Sequence, residues 1–158
     1  MANLRFRTLF AAFGLLLISS GCQTGTSNPA APVVSNETAS RAIEDGGTGP
    51  YRALMTADST LATHTIFRPQ DLGPFGKKAK LPIIVWGNGA CANSPWEHVN
   101  FLSEVASHGF LVLAIGPMPE VGQRGGPGGP TTSALLTEAI NWAIAQNSDK
   151  ASQYYNKL

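Results

Sequence analysis

Two short runs of apolar residues, separated by a helical pattern, constrain the fold of this chain most. Leu81 to Trp86 and Phe110 to Ile115 consist almost wholly of apolar residues, several of them β-branched. Continuous apolar runs of this length are typical of strands that are buried on both faces of a parallel sheet. Because the segment between them has helix signals at both ends, the order strand, helix, strand predicts a βαβ unit.

The helix between these strands has the clearest local signals in the chain. Ser94 can cap a helix, Pro95 suits its first position, and Glu97 completes a capping box. Apolar residues follow at helical spacing from Trp96 onward, and Gly109 is typical of a helix end. The sequence therefore predicts a helix from Ser94 to just before Gly109.

Two further elements complete the pattern. Thr63 to Arg68 is rich in β-branched and aromatic residues and is predicted to be a strand. A helix is predicted to begin at Thr131–Ser133 and to close at Gln146–Asn147. Alternating strands and helices predict an α/β fold with a mostly parallel sheet and flanking helices.

The first 21 residues resemble an export signal. Arg5 and Arg7 precede the apolar run Leu9 to Ile18, which is too short for a membrane-spanning helix of about 20 residues. Ser19 to Cys22 then resembles a bacterial lipobox, so we expect Cys22 to carry lipid. The mature chain would be anchored in the cell envelope, at the outer membrane or cell surface. An ordinary cleaved signal followed by secretion, or an uncleaved anchor, are the alternatives.

Composition divides the remainder into a linker and a folded part. Residues 22–48 are rich in Ser, Thr, Pro and Ala, so a flexible linker is predicted there. The folded domain is expected over residues 49–158. Loss of Arg5 and Arg7 with the signal changes the formal net charge from +1 to −1. A nearly neutral chain gives no electrostatic basis for nucleic-acid binding.

The glycine-containing loop after the first apolar strand is the main candidate for chemistry. Gly87 to Ala92 fits the pattern G-x-G-x-x-A of dinucleotide-binding folds. In those folds the helix begins inside the motif, whereas here its start is marked later, at Ser94–Pro95. An oxyanion loop, whose backbone N–H groups bind a developing negative charge, is the preferred interpretation. A plain turn between strand and helix is the other.

The order of these segments resembles the α/β-hydrolase superfamily. The segments are Gly49-Pro50-Tyr51, the strand ending at Pro69, the strand Ile83 to Val85 running into Gly87, and Ala106 to Phe110 before the next strand. Their spacing is similar to that in secreted cutinases and polyester hydrolases and in dienelactone-hydrolase-like proteins. The resemblance covers residues 49–147 and implies the N-terminal portion of such a fold, with the C-terminal half absent.

The resemblance also implies roles for individual residues. Asn88 matches the position whose backbone N–H forms the oxyanion hole, with Gly89 and Ala90 beside it, and Trp96 would line the substrate cleft. The polyester hydrolases carry an aromatic residue at the position of Asn88, so polyester specificity is not implied. The family's nucleophile lies in G-x-S-x-G, which this sequence lacks. No catalytic residue is therefore expected in this chain, and the triad is expected beyond Leu158.

Cys91 has several possible roles. With Cys22 lipidated, it has no second cysteine in the sequence. A disulfide to a part of the protein beyond this chain, a buried free thiol, and a nucleophile activated near a helix start all stay open.

The three histidines match no catalytic base of the family. His108 is expected near a helix C-terminus, His98 on a helix surface and His64 on a strand. No metal site and no cofactor are expected.

The function expected from the sequence is that of a truncated serine hydrolase. The parent activity would be hydrolysis of a small-molecule or polymeric carboxylic ester through an acyl-enzyme, and this chain would be inactive alone. A non-catalytic envelope lipoprotein that binds a partner or ligand is the alternative, and a nucleotide-binding domain is a weaker one.

Overall fold

The computed structural model describes residues 33–122 and 131–158. The predicted export segment and the lipidation site Cys22 lie outside the described residues. These described residues form one compact unit. Its strands are β1 (Glu37–Arg41), β2 (Ala53–Asp58), β3 (His64–Pro69), β4 (Ile83–Trp86) and β5 (Leu111–Ile115), and its helices are α1 (Val99–Ser107) and α2 (Ser133–Ser148).

The five strands form one mixed sheet in the order β1-β2-β3-β5-β4. Only β4 and β5 are parallel, whereas β1–β2, β2–β3 and β3–β5 are antiparallel. The prediction of a mostly parallel sheet with flanking helices was therefore wrong. Short connections without a long helix join β1 to β2 and β2 to β3, and such connections favour antiparallel neighbours. Only the connection from β4 to β5 contains an α-helix of the crossover kind.

The predicted βαβ unit is confirmed. β4 lies within the first apolar run, β5 within the second, and α1 lies between them. The helix begins more gradually than predicted, because Trp96–His98 forms a 3-10 turn before α1 starts at Val99. Gly109 follows the helix with a φ of +90°, which explains why glycine stands there.

The sheet has an apolar core on each face. On one face Leu61, Ile66, Leu111 and Leu113 pack with α2 through residues such as Trp142. On the other face a second set packs with α1: Ala53, Met55, Phe67, Leu102, Ala106, Val112 and Ala114. Both faces of β5 are covered, and all five of its residues are buried. Because β4 and β5 are parallel neighbours, the loops that follow them lie side by side at the same end of the sheet.

Part of the predicted linker belongs to the folded unit. Residues 37–48 fall within that linker, yet Glu37–Arg41 pairs with β2 as strand β1. The polar stretch 151–158, expected within the folded domain, is packed, since Tyr154 is fully buried against Trp142.

No helix within residues 33–122 and 131–158 is long and apolar enough to cross a membrane.

Candidate functional site

The loop Gly87–Ala92 follows directly after β4, next to the end of β5. Its residues Gly89 to Cys91 form a short 3-10 turn. Gly89 and Ala90 are exposed, and Asn88 is half-buried. The three residues expected to form an oxyanion hole therefore lie at the end of a parallel strand pair, on the surface.

The side chain of Asn88 holds this loop in place. Its Nδ2 donates hydrogen bonds to the carbonyl oxygens of Ala92 at 3.0 Å and Ile115 at 2.7 Å. Its Oδ1 accepts a hydrogen bond from Trp86 Nε1 at 3.2 Å. One side chain thus joins the loop to itself, to β4 and to β5. Each such hydrogen bond stabilises the folded state by about 0.5–1.5 kcal/mol.

The loop backbone adopts a conformation that L-residues rarely occupy. Ala90 and Cys91 both have a φ of +52°. Each non-glycine residue in this region costs about 1–3 kcal/mol, and such strain is concentrated at binding and active sites. Successive backbone N–H groups in turns of this kind form concave sites that bind anions.

Two contacts from outside the loop fix its position. Thr131 Oγ1 donates a hydrogen bond to the carbonyl oxygen of Cys91 at 3.0 Å. Gly116 follows β5 with a φ of +109°, and a Cβ built on it would lie 2.7 Å from backbone atoms of Asn93 and Ser94. The segment after the loop can pass the end of β5 only because residue 116 has no side chain.

Trp96, expected to line a substrate cleft, lies in the 3-10 turn before α1. It is half-buried, and its backbone N–H donates to Ser94 Oγ at 3.3 Å. The aromatic residue that contacts Asn88 is instead Trp86, whose ring also lies 5.4 Å from that of His98. Sequence reasoning placed Trp86 in a buried strand and missed this contact, because a strand's last residue can turn toward the following loop.

Cys91 carries a free and exposed thiol. The interpretation of Cys91 as a buried free thiol was therefore wrong. The structure does not test a disulfide between Cys91 and a part of the protein outside this chain. No group of three His, Cys, Asp or Glu side chains in the described residues could hold a metal ion.

Two of the three histidines lie where the sequence placed them: His64 is on β3 and His108 directly after α1. His98, expected on a helix surface, lies half-buried in the 3-10 turn before α1. His108 Nε2 lies 3.0 Å from Glu104 Oε1. Hydrogen bonds from Thr48 and then His108 lower the pKa of Glu104 from 4.5 to about 2. Glu104 also accepts hydrogen bonds from the backbone N–H and the hydroxyl of Thr48, which joins residue 48 to α1.

The buried His64 has an unusual surrounding. Its Nδ1 lies 2.9 Å from Thr63 Oγ1, and its Nε2 is buried without a hydrogen-bond partner among the described residues. Burial lowers the pKa of His64 below its ordinary value of 6.5, against smaller opposing effects of Glu138 and of the Leu135 backbone. Burial thus favours the neutral form of His64.

Two cavities lie away from the loop. One of about 700 Å³ is shallow and lies between the turn after β2 and α2, where Thr60, Glu138 and Trp142 line it. Another of about 530 Å³ lies beside the ends of β1 and β2, where Arg41, Asp58 and Pro119 contribute to its walls. Neither cavity includes Asn88, Gly89, Ala90 or Trp96.

The backbone of the loop Gly87–Ala92 can donate and accept hydrogen bonds, but the loop contains no serine that could act as a nucleophile. The loop combines exposed backbone, a left-handed turn and an internal support. These features suit binding of a negatively charged oxygen. In comparisons with known proteins, no protein-family model and no curated protein matches the chain.

Proposed function

We propose that this chain supplies the oxyanion loop of a serine hydrolase related to the α/β-hydrolase superfamily. The substrate would be a small-molecule or polymeric carboxylic ester, cleaved through an acyl-enzyme. The backbone N–H groups around Asn88, Gly89 and Ala90 would stabilise the negative oxygen of the tetrahedral intermediate.

One observation carries this proposal: the loop after β4 is strained and yet firmly supported. Ala90 and Cys91 occupy the left-handed region, and the side chain of Asn88 makes three hydrogen bonds beneath them. A plain turn between strand and helix needs neither the strain nor the support. A preorganised anion site needs both, because its donors must not rearrange when charge develops.

The proposal assigns the nucleophile, acid and base to residues outside this sequence. The sequence contains no G-x-S-x-G, and the described residues offer no serine paired with a histidine base. The 158-residue chain alone should therefore not turn over a nitrophenyl ester. Turnover that survives replacement of Cys91 with Ala would contradict this part of the proposal.

The oxyanion role can be tested on the chain as it stands. We expect a phosphonate monoester, which mimics the tetrahedral intermediate, to shift the amide proton signals of Gly89 and Ala90 in an NMR titration. The Asn88→Ala variant should lose this response, because three hydrogen bonds under the loop are lost. Gly122, an exposed glycine in a turn, provides a matched reference amide.

The possible results separate the two functions. A response confined to the loop and abolished by Asn88→Ala supports the oxyanion site. Equal shifts at Gly122, or none in the loop, would remove it and leave the non-catalytic binding protein. Reading the gene through the codon of Leu158 gives a second test, since the hydrolase requires G-x-S-x-G followed by Asp and His.

The cellular location belongs to the same proposal. We place a lipid on Cys22, which would hold the folded unit at the envelope through residues 23–36. Mass spectrometry of the N-terminal peptide checks this: a diacylglyceryl group on Cys22 is expected, and an unmodified Cys22 in the mature chain would refute it.

A further inference from the structure

A small cavity lies between the segment that follows β1 and helix α1, and it includes no residue of the loop Gly87–Ala92. Its volume is about 140 Å³. One water takes about 30 Å³ in the liquid, so the cavity has room for the polar head of a small ligand. Its polar lining residues are Glu44, Asp45, Thr48, Asn100, Ser103 and Glu104.

Hydrogen bonds fasten this segment to α1 on both sides of the cavity. Near the start of the segment, Asn100 Nδ2 donates to Glu44 Oε1 at 2.8 Å. Near its end, the backbone N–H of Thr48 donates to Glu104 Oε2 at 2.8 Å, and Thr48 Oγ1 donates to Glu104 Oε1. The walls are therefore held in place by residues 43–48 and 100–104 alone, and they do not depend on the further chain that the proposed function expects.

Ser103 is the buried polar residue of this cavity. It is only 2% exposed, and its Oγ has no hydrogen-bond partner within the described residues. Because Ser103 lies inside α1, where backbone groups bond along the helix, its short side chain is the part that faces the cavity. A buried hydroxyl without a partner is unfavourable and uncommon in folded proteins. A ligand that donates a hydrogen bond to Ser103 Oγ would satisfy it.

The charge of the walls selects the kind of ligand. Three lining side chains are carboxylates, those of Glu44, Asp45 and Glu104, and within the described part of the chain no Lys, Arg or His lines the cavity. Hydrogen bonds from Thr48 and then His108 lower the pKa of Glu104 to about 2, so this carboxylate is charged at neutral pH. Such walls repel an anion and attract a cation.

Hydrogen-bond chemistry narrows the cation to a primary ammonium group. This group has three N–H donors and no acceptor, which matches walls that offer carboxylate oxygens and the hydroxyl oxygen of Ser103. A metal ion fits less well, because no group of three His, Cys, Asp or Glu side chains in residues 33–122 and 131–158 could hold one.

We propose that this cavity binds the ammonium group of a small primary amine. The ammonium group donates one hydrogen bond to Ser103 Oγ, and the carboxylates of Asp45 and Glu104 balance its charge. Binding of the amine is independent of ester hydrolysis, because the cavity shares no residue with the loop Gly87–Ala92.

An NMR titration of the full chain in nonionic detergent tests the proposal, with ethylammonium chloride as the probe. We expect saturable shifts of the amide signals of Thr48 and Ser103. Tetramethylammonium chloride, which carries the same charge without an N–H donor, should not produce them. Ser103→Ala and Asp45→Asn should each raise the dissociation constant for ethylammonium by about tenfold or more. Ser148→Ala is the matched control, since Ser148 is exposed on α2 and its hydroxyl donates to the carbonyl oxygen of Ile144.

Each outcome decides the proposal. Saturable shifts with ethylammonium alone, weakened by Ser103→Ala and Asp45→Asn but not by Ser148→Ala, support the amine site. Equal shifts with tetramethylammonium overturn it, because the walls would then respond to charge only, and equal shifts with calcium chloride overturn it in favour of a metal. The absence of any shift also overturns it and leaves ordered water as the partner of Ser103.

The variants keep the test independent of folding. Ser103→Ala removes a hydroxyl that has no partner in the described residues, so the dispersed amide spectrum of the folded chain should persist. Asp45 is exposed, and Asp45→Asn therefore provides a second variant that removes charge without a change in packing. An affinity for ethylammonium that neither variant changes would overturn the proposal.

Discussion

Arg68 on β3 reaches across β2 to Glu37 on β1 and binds it through two hydrogen bonds. Its Nε lies 2.6 Å from Glu37 Oε1, and its Nη2 lies 2.8 Å from Oε2. The side chains are only 7% and 14% exposed. Burial lowers the pKa of Arg68, but the hydrogen bond with Glu37 opposes this effect, and the pKa stays above its ordinary value. The ion pair fixes a strand whose sequence otherwise resembles a linker.

The first prediction concerns this ion pair. Glu37→Leu should lower the free energy of unfolding by about 3–5 kcal/mol, because Arg68 is left buried and unpaired. Glu37→Leu combined with Arg68→Met should cost less than Glu37→Leu alone, since no unpaired charge remains. Urea denaturation measures both, with Ser40→Ala on the exposed part of β1 as control. A double variant less stable than the single one would contradict this account.

The second prediction concerns the packing of Tyr154. Its ring is fully buried and lies 5.5 Å from that of Trp142. Within the described chain no group meets its hydroxyl at full hydrogen-bond geometry, although the nearby Arg68 opposes the rise in pKa that burial causes. Tyr154→Ala should cost about 3–5 kcal/mol, as for other large aromatic residues in a core. Tyr154→Phe should cost little, because the hydroxyl has no well-formed hydrogen bond to lose. A large loss in the Phe variant, measured by thermal unfolding, would reveal a bond made by that hydroxyl.

The third prediction is a pH dependence of stability that arises from His64. Because burial lowers its pKa below 6.5, the unfolded chain binds a proton more readily than the folded chain. Stability contributed by neutral His64 is therefore complete above pH 6.5 and declines as the pH falls below that value. Thr63, Glu138 and the backbone of Leu135 are polar groups that face it.

Urea denaturation at several pH values checks this dependence. His64→Gln should flatten the decline between about pH 6.5 and 5, whereas His108→Gln, at an exposed position, should leave it in place. If the His64 variant keeps the full decline, the destabilisation on acidification comes from another group.

The fourth prediction concerns Gly116, which positions the candidate loop. Gly116→Ala should destabilise the chain strongly, because the new Cβ would lie 2.7 Å from backbone atoms of Asn93 and Ser94 and the φ is +109°. Gly89→Ala is the matched control, since nothing lies within 4 Å of a Cβ at that position. Thermal unfolding should separate the two variants by several degrees; similar melting temperatures would mean that the segment after the loop yields easily.

Local elements and their order followed from the sequence. The apolar runs identified β4 and β5, the expected strand and helix around them are present as β3 and α2, and the capping signals marked the helical segment whose α-helix, α1, starts five residues after Ser94. Such patterns depend on nearest neighbours along the chain, where spacing of apolar residues and turn chemistry suffice. The glycine loop after β4 was found for the same reason.

The tertiary structure decided the direction of the strands, the extent of the folded unit and the support of the loop. Three of the four strand pairings are antiparallel. β1–β2 and β2–β3 join consecutive strands with no α-helix between them, whereas β3 pairs with β5 although β4 and α1 lie between them along the chain. Strand β1 and the segment around Tyr154 are polar by composition, and each is held by long-range contacts that have no local signal, among them Glu37 with Arg68 and Tyr154 with Trp142. The role of Asn88 as the support of its own loop likewise depends on Ile115, which lies 27 residues away along the chain. A sequence pattern reports what a segment prefers, whereas these contacts depend on which segments meet.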